Sequence, residues 1–74
     1  MLGKPKYTYN DVVIFTIDNQ DKCGIIAVVD KWGTFFDNSD VQYDIMVHEE
    51  NIFYKHIPEG SIKRKIGVSE EELY

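Results

Sequence analysis

Apolar and polar positions alternate over residues 41–48, VQYDIMVH. Val41, Tyr43, Ile45 and Val47 fall on one side; Gln42, Asp44, Met46 and His48 fall on the other. Three of the second set are polar. A period of two with that bias predicts a strand with one buried and one wet face. Two other stretches are apolar on both sides. DVVIFTID, residues 11–18, sets Val13, Phe15 and Ile17 against Val12, Ile14 and Thr16. CGIIAVVDK, residues 23–31, sets Ile25, Ala27 and Val29 against Ile26 and Val28. Strands of that kind are packed on two sides or curl through a barrel. NIFYKHI, residues 51–57, predicts a shorter fourth strand.

Turn chemistry separates these runs. Asp18, Asn19, Asp21 and Gly24 mark a break across residues 18–24, and DNSD marks another at 37–40. HEEN at 48–51 is short enough for a hairpin. Pro58 has no N–H to donate to a ladder, so IPEGS at 57–61 predicts one 3₁₀ turn, followed by a last strand over about 61–65. Helix signals are confined to SEEELY, where Ser69 and Glu72 match a capping box. Six residues do not hold a helix in water without tertiary support. The expected fold is all-β, with five short strands and a single 3₁₀ turn before the last. Small barrels are the compact solutions for such a chain. An OB-type barrel carries a helix between its third and fourth strands. The four-residue gap at 48–51 favours the SH3-like barrel. Residues 1–6 then form a flexible lead-in, 7–66 the barrel and 67–74 a C-terminal tail.

Composition narrows the picture. A chain of 74 residues makes one domain, and its 43% hydrophobic and 28% charged residues are an ordinary globular mixture. The longest apolar run, 25–29, is too short to cross a bilayer, and residues 1–9 lack a signal-peptide core. A cytoplasmic protein with no membrane contact is expected. Cys23 is the single cysteine, so one chain cannot form a disulfide. Its place beside an apolar run reads as a buried or half-buried thiol. The net charge of −5 disfavours nonspecific binding to nucleic acid. Five of the eight basic residues nevertheless cluster near the ends of the chain: Lys4, Lys6, Lys63, Arg64 and Lys65.

Several of these stretches resemble the SH3-like barrel superfamily. YNDVVIF resembles the opening strand, and KCGIIAVVD the Gly-then-apolar second strand of KOW and Tudor-type modules. YDIMV followed by YKHIPEGSI resembles strands three and four, the 3₁₀ turn and the final strand. The run VQYDIMV…ENIFYKHIPE is similar to small uncharacterised proteins of low-GC Gram-positive bacteria and their phages, over about residues 7–66. The resemblance implies the barrel and a phage or mobile-element setting, and brings no activity with it. The proline-peptide groove of signalling SH3 domains is not matched, because Trp32 is single and EGSI, not a tyrosine turn, follows Pro58.

The candidate chemistry is therefore recognition. Trp32, Phe35 and Phe36 surround Gly33, and adjacent Phe residues in extended chain point opposite ways. Burying one such ring contributes about 1.5–3 kcal/mol, so at least two of the three are expected to cap the barrel. Tyr9, Trp32, Phe35 and Tyr54 are the expected contacts with a protein partner. In SH3-like barrels the first and last strands lie close, so Lys4, Lys6, Lys63, Arg64 and Lys65 form the alternative, a patch for nucleic acid or an acidic partner. A homo-oligomeric assembly subunit is the third reading, leaving monomer and homodimer open. His48 and His56 with Glu49 and Glu50 match no zinc-ligand spacing. No catalytic motif is present, and neither enzyme activity, metal nor cofactor is expected.

Overall fold

The computed structural model describes residues 4–30 and 41–70. Five antiparallel strands build one sheet: β1 (Asp11–Ile17), β2 (Gln20–Asp30), β3 (Gln42–Val47), β4 (Ile52–Pro58) and β5 (Ile62–Val68). The 3₁₀ turn Glu59–Ser61 links the last two. The order across the sheet is β4-β3-β2-β1-β5, so the chain meanders through four strands and then returns to the first. Among the described residues no ladder joins β4 to β5, and these two are the edges of an open sheet. No helix there is long and apolar enough to cross a membrane.

Local chemistry fixes the connections. Asp18 and Asn19 take φ of 51° and 63°, and Ile17 pairs with Gln20, which makes a two-residue hairpin. Both central residues at positive φ define the type I′ turn that matches strand twist. The expected break over residues 18–24 is thus only two residues long. Gln20, Asp21 and Lys22 belong to β2 despite their polarity, since they pair with Ile17, Thr16 and Phe15. In the β3–β4 loop, Asn51 at φ 57° receives the chain after Glu50 N–H donates to Val47 O at 3.2 Å. Pro58 stays extended at φ −67°, ψ 148°, and Glu59 N–H donates to Val41 O at 2.9 Å. β5 runs on to Val68, past the expected end at Lys65, because Gly67 and Val68 still pair with Val12 and Asp11.

Bulges curl the sheet. Ile66 and Lys63 are extra residues in β5 against β1, Ala27 is extra in β2, and the β3–β4 register shifts between Tyr43 and Ile45. Each extra residue bends its strand and increases local twist. His56, at φ 60°, occupies the last of these, and its N–H donates to Asp44 Oδ1 at 3.1 Å.

The curled inner face carries the core. Val13, Phe15, Ile26, Tyr43 and Ile45 are completely buried, with Val41, Val47, Ile57 and Ile62 around them. The alternation in β3 therefore places the four expected residues inside. Gln42 departs from it: expected wet, it is only 1% exposed, lying between Asp30 and Pro58 on the flanking strands. Gly24 allows β2 to touch β3. A Cβ there would lie 2.5 Å from Ile45 Cγ2 and 2.8 Å from Met46 O.

Candidate functional site

Directly opposed residues in a sheet share a face, so the register alone assembles the outer surface. Phe53 opposes Met46, Met46 opposes Ile25, Ile25 opposes Val12, and Val12 opposes Gly67. This row crosses all five strands, about 19 Å from end to end at the usual strand spacing of about 4.8 Å, with apolar side chains on four of them. Phe53 is 41% exposed, and Met46, Ile25 and Val12 are half-buried. The row ends in a gap at Gly67, where a Cβ would meet nothing within 4 Å. Ile14 and Cys23, opposed to each other, widen the row on one side; Val28, opposed to Asp44, widens it on the other. A shallow depression lined by Val12, Cys23, Ile25, Met46, His48 and Glu49 runs beside it.

Cys23 corrects an expectation. Its thiol is exposed, because residue 23 points to the outer face while its neighbour Gly24 turns to the core.

Of the expected aromatic contacts, the two described ones, Tyr9 and Tyr54, lie on different parts of the sheet. Tyr9 is exposed in the turn ahead of β1, where Asn10 N–H donates to Ile26 O at 2.9 Å. Tyr54 lies toward the other end of β1. Its ring stands edge-on to Phe15 at 5.7 Å, Lys22 Nζ sits over it at 5.7 Å, and its hydroxyl donates to Glu50. Tyr54 is therefore held by its neighbours at the rim of the core. Trp32 and Phe35, with Phe36, lie outside the described residues.

The basic residues are partly answered by the body of the protein. Lys63 Nζ lies 3.0 Å from Asp21 Oδ2, and Lys65 Nζ lies 3.2 Å from the buried Asp11 carboxylate. Arg64 opposes Ile14 and lies within electrostatic range of Asp21. Lys4 and Lys6 are exposed, and Lys6 N–H reaches Glu59 Oε2 at 3.3 Å.

Titratable groups that do meet neutralise one another. Hydrogen bonds from Lys22 and Tyr54 hold the Glu50 carboxyl below its ordinary value; the same carboxylate pushes Lys22 and Tyr54 up. Hydrogen bonds from Lys63 and Thr16 lower Asp21. Burial, then its bond to Glu59 at 2.7 Å, pushes the Tyr43 phenol far above its ordinary range. That hydroxyl also accepts Tyr7 N–H at 3.4 Å, and the two rings meet edge-on at 5.8 Å, which fastens the lead-in to the 3₁₀ turn. Among the described residues no group of His, Cys, Asp and Glu could hold a metal ion.

No pattern along the sequence singles out Met46, Phe53, Val12 and Ile25 as one surface. The signal was partial: both faces of the first two strands are apolar, and Met46 interrupts an otherwise polar face. No protein-family model, curated protein or solved structure matches this chain.

Proposed function

We propose that the chain is a non-enzymatic protein-interaction module built on the SH3-like barrel plan, and that its outer sheet face is the contact surface. The strand order supports the plan: the last strand returns beside the first after a 3₁₀ turn, and the bulges supply the curl. The observation that carries the function is the row Phe53, Met46, Ile25 and Val12. Solvated outer faces of small antiparallel sheets are ordinarily polar, and a contiguous apolar patch rimmed by polar groups marks a contact site. Covering it returns about 25 cal/mol for each Å² of apolar surface removed from water. The partner is a second protein that presents an apolar ridge to this row.

A photoreactive side chain at Phe53 tests the reading in cells. Crosslinking to a defined protein is expected, with the yield falling strongly in Met46→Lys and unchanged in Arg64→Ala. Thermal melts establish that both variants fold. A yield indifferent to Met46→Lys overturns the outer face as the contact surface.

A further inference from the structure

The apolar row of the outer face runs from an open ring, Phe53 on β4, to the gap at Gly67 on β5. β2 lies midway across the sheet. Its outer side chains are uncharged from residue 23 to residue 28: exposed Cys23, half-buried Ile25 and exposed Val28. Charge lies to either side of them at the hairpin end. Toward β3, Glu49 and Glu50 outnumber Lys22 and leave a net negative charge; all three line one depression with Cys23 and Ile14. Toward β1, Lys63 and Arg64 outnumber Asp21 and leave a net positive charge. Lys63 reaches across from β5 to Asp21 at 3.0 Å, and Arg64 opposes Ile14 within electrostatic range of the same carboxylate. Among the described residues neither Glu49 nor Arg64 forms an ion pair.

We propose that two copies of this chain pack outer face on outer face about a two-fold axis running along β2. This rests on the outer face being the contact surface, as proposed above, and names the partner as a second copy. Such an axis lays the β3 side of each copy on the β1 side of the other. It also keeps the strands of the two sheets aligned, as sheets packed face to face prefer. Ile25 then meets its own copy, Met46 meets the partner's Val12, and Phe53 lies over the partner's Gly67 and fills the gap. Glu49 comes opposite the partner's Lys63 and Arg64, and symmetry repeats the contact. The competing axis, across the strands along the apolar row, would set gap against gap and turn Glu49 toward the partner's Asp44. Charge and shape therefore select a second copy and its orientation. The charges lie at the rim, where they orient more than they hold, so loss of Arg64 alone leaves the contact in place. A face about 19 Å across buries less than the roughly 800 Å² that each partner gives to a standard interface. The dimer is accordingly weak, populated at sub-millimolar concentration.

Sedimentation equilibrium of the full chain tests this, with thermal melts to establish that each variant folds. A monomer–dimer equilibrium is expected. Met46→Lys should abolish it over the same concentration range. Glu49→Lys should weaken it about tenfold, since symmetry loses two attractions and gains two repulsions; adding Arg64→Glu to that variant should recover most of the loss. Cys23, beside the axis, gives a readout that needs no substitution. Its alkylation by iodoacetamide should slow as the chain concentration rises through the dimer range. A chain monomeric at sub-millimolar concentration overturns the proposal. So does a dimer indifferent to Met46→Lys or to Glu49→Lys, or a Cys23 that reacts equally fast in monomer and dimer. A monomeric chain whose Phe53 still crosslinks to a different protein in cells, with the yield falling in Met46→Lys, removes the second copy and keeps the outer face as the contact surface.

Discussion

The two faces of the sheet use similar residues to different ends. On the inner face Val13, Phe15, Ile26 and Ile45 exclude water completely. On the outer face Val12, Ile25 and Met46 stop half-way, and Phe53 is left largely open. Side-chain type does not distinguish the faces, because Ile25 and Ile26 are neighbours in one strand. Curl distinguishes them. The bulges bend the open sheet inward over one surface and splay it on the other. The inner face is consequently a matter of stability, and the outer face keeps apolar surface open to water.

Truncation on each face gives the sharpest test of that division. Phe15→Ala should cost about 3–5 kcal/mol, while Met46→Ala should cost about 1 kcal/mol from its smaller buried area. Urea unfolding measures both, and equal losses would mean that the outer face is packed as tightly as the inner. Gly24→Ala comes next. Its new methyl must displace Ile45 or the β3 backbone, which should cost about 1–3 kcal/mol as overpacking does, read as a lower unfolding midpoint. A tolerated alanine would show that β2 and β3 are not in close contact at the bend.

The smallest effect belongs to the polar rim. Glu50 is lowered by its bonds to Lys22 and Tyr54, so the linkage stabilises the fold above the ordinary carboxylate value of 4.5 and is lost as pH falls through the lowered folded value. Glu50→Gln should therefore reduce the thermal midpoint at neutral pH, and the difference from wild type should shrink in acid. A difference that grows in acid would reverse the assigned direction.

Much of this was legible along the chain, and the rest was legible only across it. The alternation in residues 41–47 locates the inner face of β3, because a strand exposes its period directly. Pro58 and HEEN at 48–51 place two of the strand breaks, and DNSD at 37–40 lies outside the described residues. Gln42 escapes because its burial does not follow its own period. The Asp18–Asn19 hairpin is hidden inside a longer polar run. The ends of β2 and β5 escape for the same reason, since Asp21 and Gly67 look like breakers until their partners in β1 are known. The outer row is least visible. Phe53, Met46, Ile25 and Val12 lie on four strands, and only the register, shifted by bulges that no periodicity announces, sets them side by side. Ring chemistry alone groups Tyr9 with Tyr54, whereas the fold sets Tyr9 ahead of β1 and packs Tyr54 of β4 on Phe15.

The return of β5 to β1 sets an order for the birth of the molecule. β1 is synthesised early yet has β5, made last, on one flank, with Phe15 meeting Ile62 across most of the chain. The β1-to-β4 meander can assemble as each hairpin leaves the ribosome, because its contacts are local. The final ladder must wait for the closing of a long loop, and non-local pairings of this kind slow folding. Until then the flank of β1 stays bare, so a nascent or C-terminally clipped chain offers a chaperone, or another nascent chain, a strand that the finished protein conceals.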